Sequence, residues 1–136
     1  MVNVVAFTED DQLVLVRQWR QGSQDFSLEI PGGARDPGSE SAEHCALREL
    51  REETGYVAEH VEYLGGVNPN NALFSNRCDT YLATGCVRAG DLQMDPGEDI
   101  EVVLLPLAEV EARVRSGEID HALVVAGLYF YRLRNS

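Results

Sequence analysis

Sixteen consecutive residues, Glu40 to Gly55, carry five carboxylates and two arginines in a stretch whose apolar positions recur with a helical period. Pro31-Gly32-Gly33 stands just upstream. Successive residues on an α-helix turn by roughly 100°, so positions three and four apart share a face. Glu49, Glu52 and Glu53 therefore leave one side of the helix within about one turn of each other. Like charges at that spacing destabilise an isolated helix by about 0.2–0.5 kcal/mol per pair. A hard divalent cation offsets that repulsion. Mg²⁺ and Mn²⁺ take oxygen ligands and are commonly held by a few carboxylates together with substrate phosphates. The alternative is a solvated acidic face salted by Arg48 and Arg51. The Pro-Gly-Gly run before the helix and Gly55 after it favour the cation.

Composition narrows the field. A chain of 136 residues is long enough for one domain with a real core, and 44% hydrophobic with 25% charged residues is ordinary for a globular protein. No apolar run approaches the roughly 20 residues of a membrane span. The N-terminus lacks the basic start and cleavage site of a signal peptide, so a cytoplasmic location is the default expectation. Cys45, Cys78 and Cys86 form no Cys-x-x-Cys pair and are expected to be free, buried thiols. His44, His60 and His121 show no metal-ligand spacing. The net charge of −12 repels polyanions and membrane surfaces, so neither nucleic acid nor a membrane is an expected partner. A phosphorylated small molecule fits, provided that cations and a few arginines neutralise it locally.

Along the chain, strands are expected at residues 2–7, 13–19 and 26–30, the last stopped by Pro31-Gly32-Gly33, with a loop over 21–25. A helix follows from about Ser41 to Thr54, ended by Gly55 in the left-handed conformation. Further strands are expected at 61–66, 78–85 and 100–105, with loops over 68–76 and 91–99. Pro106 starts a helix over 107–116, Gly117 stops it, and Asp120 caps a final apolar helix over 121–134 that packs on the sheet or in a dimer. Trp19 is read as a core residue. The order of elements describes one α+β domain.

The acidic stretch resembles the Nudix box, the signature of the Nudix hydrolase family, over residues 33–56. Seven residues separate Glu40 from Arg48, and Glu49, Leu50, Arg51, Glu52, Glu53, Thr54 and Gly55 follow in the family's order. Tyr56 replaces a final aliphatic residue. Six residues, Ala34 to Ser39, separate Gly33 from Glu40 where the family has one fewer. The extra residue falls in the Asp36-Pro37-Gly38 turn and is expected to lengthen a loop without rotating the helix. The resemblance implies a single Nudix domain over residues 1–136, with a mixed sheet sandwiched between helices.

It also implies roles. Glu49 and Glu53 are expected to be direct metal ligands, Glu52 a ligand to a second ion or a partner through water, and the Gly32 carbonyl a backbone ligand, for one to three Mg²⁺ or Mn²⁺ ions. Arg48 is expected to orient the glutamates, with Glu40 as its partner. Beyond the box, Val14-Leu-Val-Arg17-Gln18-Trp19-Arg20 and Leu28-Glu29-Ile30-Pro31-Gly32-Gly33 resemble the branch that hydrolyses ADP-ribose and nucleoside diphosphate sugars. So do Glu98-Asp99-Ile100-Glu101-Val102 and the run from Val114 to Ala122. That likeness places Arg20, with Arg17 and Glu29, at the substrate, Arg20 on the diphosphate, and Glu98 at metal. The branch's general base precedes the late strand. Pro96 lies two residues before Glu98, leaving Asp95 or Glu98 for that role.

The branch has a further segment before the strand at Val2, which this sequence does not contain, and the loop Asn68 to Asn76 looks closer to the nucleoside diphosphate sugar relatives. The expected activity is Mg²⁺-dependent hydrolysis of the diphosphate of an NDP-sugar or ADP-ribose, giving nucleoside monophosphate and sugar phosphate. A nucleoside triphosphate pyrophosphohydrolase acting on oxidised dGTP shares the box and is the rival enzyme. A non-catalytic sensor of ADP-ribose-like ligands is the rival outside enzymes. A homodimer is expected by analogy of fold.

Overall fold

The first strand, β1 (Val2–Thr8), is buried along almost its whole length, and the remaining elements are built around it. The structure is a computed structural model and describes residues 1–36, 38–90 and 100–135. Alternate side chains of a strand point to opposite faces, and both faces of β1 are covered. Val2, Val4 and Ala6 meet Cys45, Ala46 and Leu50 on one side, while Val5 and Phe7 join Leu13, Leu15, Val124 and Leu128 on the other. A strand covered twice needs no polar face, which is why its sequence is nearly all apolar.

Around it, β1 runs parallel to β7 (Cys78–Arg88) and antiparallel to β2 (Gln12–Arg20). β2 takes β3 (Asp25–Glu29) and β8 (Ile100–Pro106) as antiparallel partners, and β7 takes β5 (Tyr56–Val57) and β6 (His60–Val67). One parallel pair among antiparallel ones makes the sheet mixed. α1 (Ala42–Thr54) covers one face; α2 (Leu107–Ser116) and α3 (Ala122–Arg134) cover the other. The three cysteines are free and buried, as expected.

The position of the Gly-Gly pair follows from the way β1 and β2 part. They share one register pair, Phe7 with Leu13, beside a turn in which Asp11 takes a φ of 59°. Beyond that pair, Gly32–Gly33 lies along β1 as a short strand, β4, with Gly33 opposite Val2 and Gly32 opposite Asn3. The Val4 N–H donates to the Pro31 carbonyl at 2.9 Å. Pro31-Gly32-Gly33 therefore stops β3, which ends at Glu29 as the sequence suggested, and then takes the chain into a new pairing with β1 as β4. Proline's missing N–H and glycine's missing side chain suit a segment that crosses between strands and lies against backbone.

Helix ends follow the sequence closely. Ser41 Oγ accepts from the His44 N–H at 3.1 Å, and Gly55 takes a φ of 78° while its N–H donates to the Arg51 carbonyl. Pro106 and Gly117 bound α2 as expected. The cap of α3 differs: it is His121, through Nδ1, and Asp120 does not fill that place. Trp19 is also corrected. It is 44% exposed and packs edge-on against Phe26, at the end of the β2–β3 pair where Arg20, Asp25 and Phe26 are exposed too. Asp25, expected in a loop, begins β3. Residues 91–99, with Asp95 and Glu98, lie outside the described residues, as does Pro37. Among the described residues no helix is long and apolar enough to cross a membrane.

Candidate active site

α1 docks over β1 and β4 through Cys45, Ala46 and Leu50, all fully buried, and this docking turns its acidic side toward the Gly-Gly strand. Glu53 Oε1 accepts the Gly32 N–H at 2.9 Å. Burial pushes the Glu53 carboxyl up to about 7, with the neighbouring Glu49 adding to the rise; the Gly32 hydrogen bond and Arg20 oppose it only in part. Glu49 lies against Gly33. A methyl group built on Gly33 would stand 2.5 Å from its carboxylate, so only glycine leaves room for it there. Burial raises the Glu49 carboxyl as well, against the pull of Arg48.

Arg48 is the hub of the opposite flank. Its Nε and Nη2 donate to the two oxygens of Glu40 at 3.0 and 2.7 Å. Its Nη1 donates to Glu49 at 3.2 Å and to Glu52 at 3.0 Å. The hydrogen bonds from Arg48 and from the Asp36 N–H hold the Glu40 carboxyl down at about 2. Glu40 raises the guanidinium's pKa in return. The extra residue ahead of the helix is accommodated before Glu40, whose N–H and that of Ser39 both donate to the Asp36 carbonyl. Glu40 still reaches Arg48 in a bidentate pair.

Across β4 from Glu53 stands a second ion pair. Arg20 Nε and Nη2 donate to Glu29 at 2.7 and 2.5 Å. The Glu29 side chain is 5% exposed; burial raises its carboxyl, but the bonds from Arg20 prevail and hold it below the usual range. Arg20 is raised, chiefly by the same bond. Arg20, Glu29, Glu53, Gln18, Gly32 and His121 line a cavity of about 210 Å³. Arg17 is not among them. It points from the other side of β2 and lies over the Phe26 ring, 4.8 Å from its centre. A larger cavity of about 480 Å³ opens on the outer flank of α1, lined by His44, Arg48, Arg51 and Glu52 among others.

Among the described residues no three His, Cys, Asp or Glu side chains stand preassembled around one point. Glu52 is engaged by Arg48, and Glu53 is turned to the Gly32 N–H. The donor chemistry nonetheless suits a hard cation. Glu49 and Glu53 are carboxylates beside a backbone strand, and both are held above their usual range by burial that Arg48 and Arg20 do not fully compensate. A divalent ion would supply the missing positive charge, and oxygen donors alone would favour Mg²⁺ or Mn²⁺. His121 is the member of this site that its spacing did not reveal. Its only signal in the sequence is its place just before the apolar run of α3, where a cap is needed.

A family model described as NUDIX domain matches residues 1–126. The ADP-sugar pyrophosphatase of Mus musculus is 36% identical over 129 residues, covering 89% of this chain and 58% of its own length. The chain thus spans little more than half of that relative. Among solved structures, an ADP compounds hydrolase superposes with a TM-score of 0.85 at 27% identity, over 96% of this chain and 69% of the other. The NUDIX domain of Shewanella oneidensis NrtR, solved in complex with ADP ribose, superposes with a TM-score of 0.74 at 25% identity, over 99% and 86% respectively.

Proposed function

The chain belongs to the NUDIX domain family, and from that premise we propose that it hydrolyses the diphosphate linkage of ADP-ribose or a related nucleoside diphosphate sugar, releasing a nucleoside monophosphate and a sugar phosphate. The observation that carries this reading is the placement of Glu53 and Arg20 in the lining of one cavity. A partly buried carboxyl that lacks full compensation lines a cavity also lined by a guanidinium whose plane two bonds to Glu29 fix. The names of the relatives support the ADP-linked substrate class.

In this proposal Glu49, Glu52, Glu53 and the Gly32 carbonyl hold Mg²⁺ or Mn²⁺, with Glu98 as a further ligand. Held there, divalent ions would supply positive charge for the diphosphate and the displaced phosphate and would lower the pKa of a bound water. Arg20 binds non-bridging phosphoryl oxygens, its plane fixed by the two bonds to Glu29. Arg48 keeps Glu49 and Glu52 on one side of α1 and takes its own orientation from Glu40. Asp95 or Glu98 accepts the proton of the attacking water. The water oxygen bonds to one phosphorus, the bridging P–O bond breaks, and the other phosphate leaves with the bond's electrons.

The test is a panel of nucleoside diphosphate sugars, ADP-ribose, dinucleoside polyphosphates and modified dNTPs, with phosphate released by a coupled phosphatase. Turnover of the first two classes is expected with Mg²⁺ and is lost in chelator. Glu53→Gln is expected to cost more than the roughly 10–100-fold typical of residues that merely support metal ligands. Full activity in Glu53→Gln refutes the assignment, and release of inorganic pyrophosphate from a dNTP alone replaces it with the triphosphate reading.

A further inference from the structure

His121 uses its two ring nitrogens differently, and the first determines the second. Nδ1 accepts the Leu123 N–H at 3.1 Å and so caps α3. An accepting nitrogen carries no proton, so a neutral imidazole in this position bears its hydrogen on Nε2. Nε2 lies 3.9 Å from Glu29 Oε1, beyond hydrogen-bonding range. Each Glu29 oxygen already accepts one hydrogen bond from Arg20. The Nε2–H is therefore a donor with its direction fixed by the helix cap, set on the wall of the 210 Å³ cavity beside the Arg20–Glu29 pair.

The rest of that wall tells what the donor is for. Arg20 spends Nε and Nη2 on Glu29, and among the described residues its Nη1 has no protein acceptor. Gln18 adds a side-chain amide. Glu29 is neutralised by its guanidinium, so this side of the cavity presents donors and little net negative charge, opposite Glu53. A ligand group composed of acceptors, with no hydrogen of its own to place, satisfies such a wall. A phosphoryl group is that ligand.

Building on the diphosphate hydrolysis proposed above, we propose that His121 is a substrate-binding residue: its Nε2–H donates to a non-bridging oxygen of the phosphate that Arg20 holds. The two halves of the imidazole are separable by substitution. His121→Asn keeps a side-chain oxygen that caps α3, since Asn is a favoured N-cap, but it is too short to place a donor where Nε2 stands. His121→Gln extends an amide toward the Nε2 position and gives up the cap.

His121→Asn is expected to keep the wild-type Tm and to raise the KM for ADP-ribose about 10-fold, the loss of one hydrogen bond to a charged group, with a much smaller effect on kcat. His121→Gln is expected to lower Tm and to keep KM close to wild type. Nitrogen NMR of the metal-free protein is expected to show the Nε2–H tautomer, with the Nε2 resonance moving on addition of inorganic diphosphate. A wild-type KM in His121→Asn, or an Nε2 resonance that diphosphate leaves unmoved, overturns the inference and leaves the hydrolase reading intact. Wild-type protein that turns over no diphosphate-linked substrate overturns both.

Discussion

Glu53 accepts the backbone N–H of Gly32 at 2.9 Å, tying the last turn of α1 to the strand that bridges β3 and β1. The two residues are 21 positions apart, and their meeting sets the ionisation of the carboxyl as well as its place. In the unfolded chain Glu53 titrates near 4.5; burial in the folded protein moves it to about 7. The folded state thus prefers the protonated form. The stability this contributes is complete below about pH 4.5 and is lost as pH rises through about 7, an effect on the order of a few kcal/mol. Metal-free Glu53→Gln is therefore expected to have a higher Tm than wild type at pH 8 and a similar one at pH 4, while being inactive. Melting curves in chelator at the two pH values check this; equal Tm differences at both overturn it.

The neighbouring glycines are expected to fail in different ways. A methyl group on Gly32 would stand 2.5 Å from the Val2 carbonyl oxygen, which is backbone and cannot move aside cheaply. On Gly33 it would meet the Glu49 carboxylate, the far end of a flexible side chain. Gly32→Ala should lose about 1–3 kcal/mol of stability, in the range of overpacked sites. Gly33→Ala should fold almost normally yet lose activity, because it displaces Glu49. Urea unfolding alongside kcat/KM separates the two; equal destabilisation would show that the strand tolerates neither.

Removal of Arg20 strands a buried charge. With Glu29 only 5% exposed, Arg20→Ala is expected to cost about 1–3 kcal/mol of stability, the desolvation of an unpaired group, and to raise KM. The double variant Arg20→Ala/Glu29→Gln should recover much of the stability and none of the KM. A double-mutant cycle by urea unfolding measures the coupling, and strict additivity would deny that the pair acts as a unit.

Arg48 serves three carboxylates with one guanidinium. Lysine has no planar fork and cannot span them, so Arg48→Lys is expected to lose about 10–100-fold in activity, nearly as much as Arg48→Met. The stabilising contribution of the Glu40 pair should persist above about pH 4.5 and disappear as pH falls through about 2, since the carboxyl is held at that low value. Steady-state kinetics and acid unfolding of the two variants test both statements.

The sequence by itself determined the box, the ends of α1 at Ser41 and Gly55, the Pro106 and Gly117 limits of α2 and the approximate place of most strands. These features act over a few residues: periodicity, capping and glycine's freedom at positive φ need no knowledge of distant partners. Tertiary structure alone decided that Gly32–Gly33 pairs with β1, that Glu53 is partly buried and Glu52 is held by Arg48, that Trp19 is exposed, and that His121 rather than Asp120 caps α3 beside the Arg20–Glu29 pair. Each of those facts depends on which segments meet across the sheet. Strand register is set by the whole core, and a carboxyl's charge by the burial that register imposes, so neither is written in the residues on either side of it.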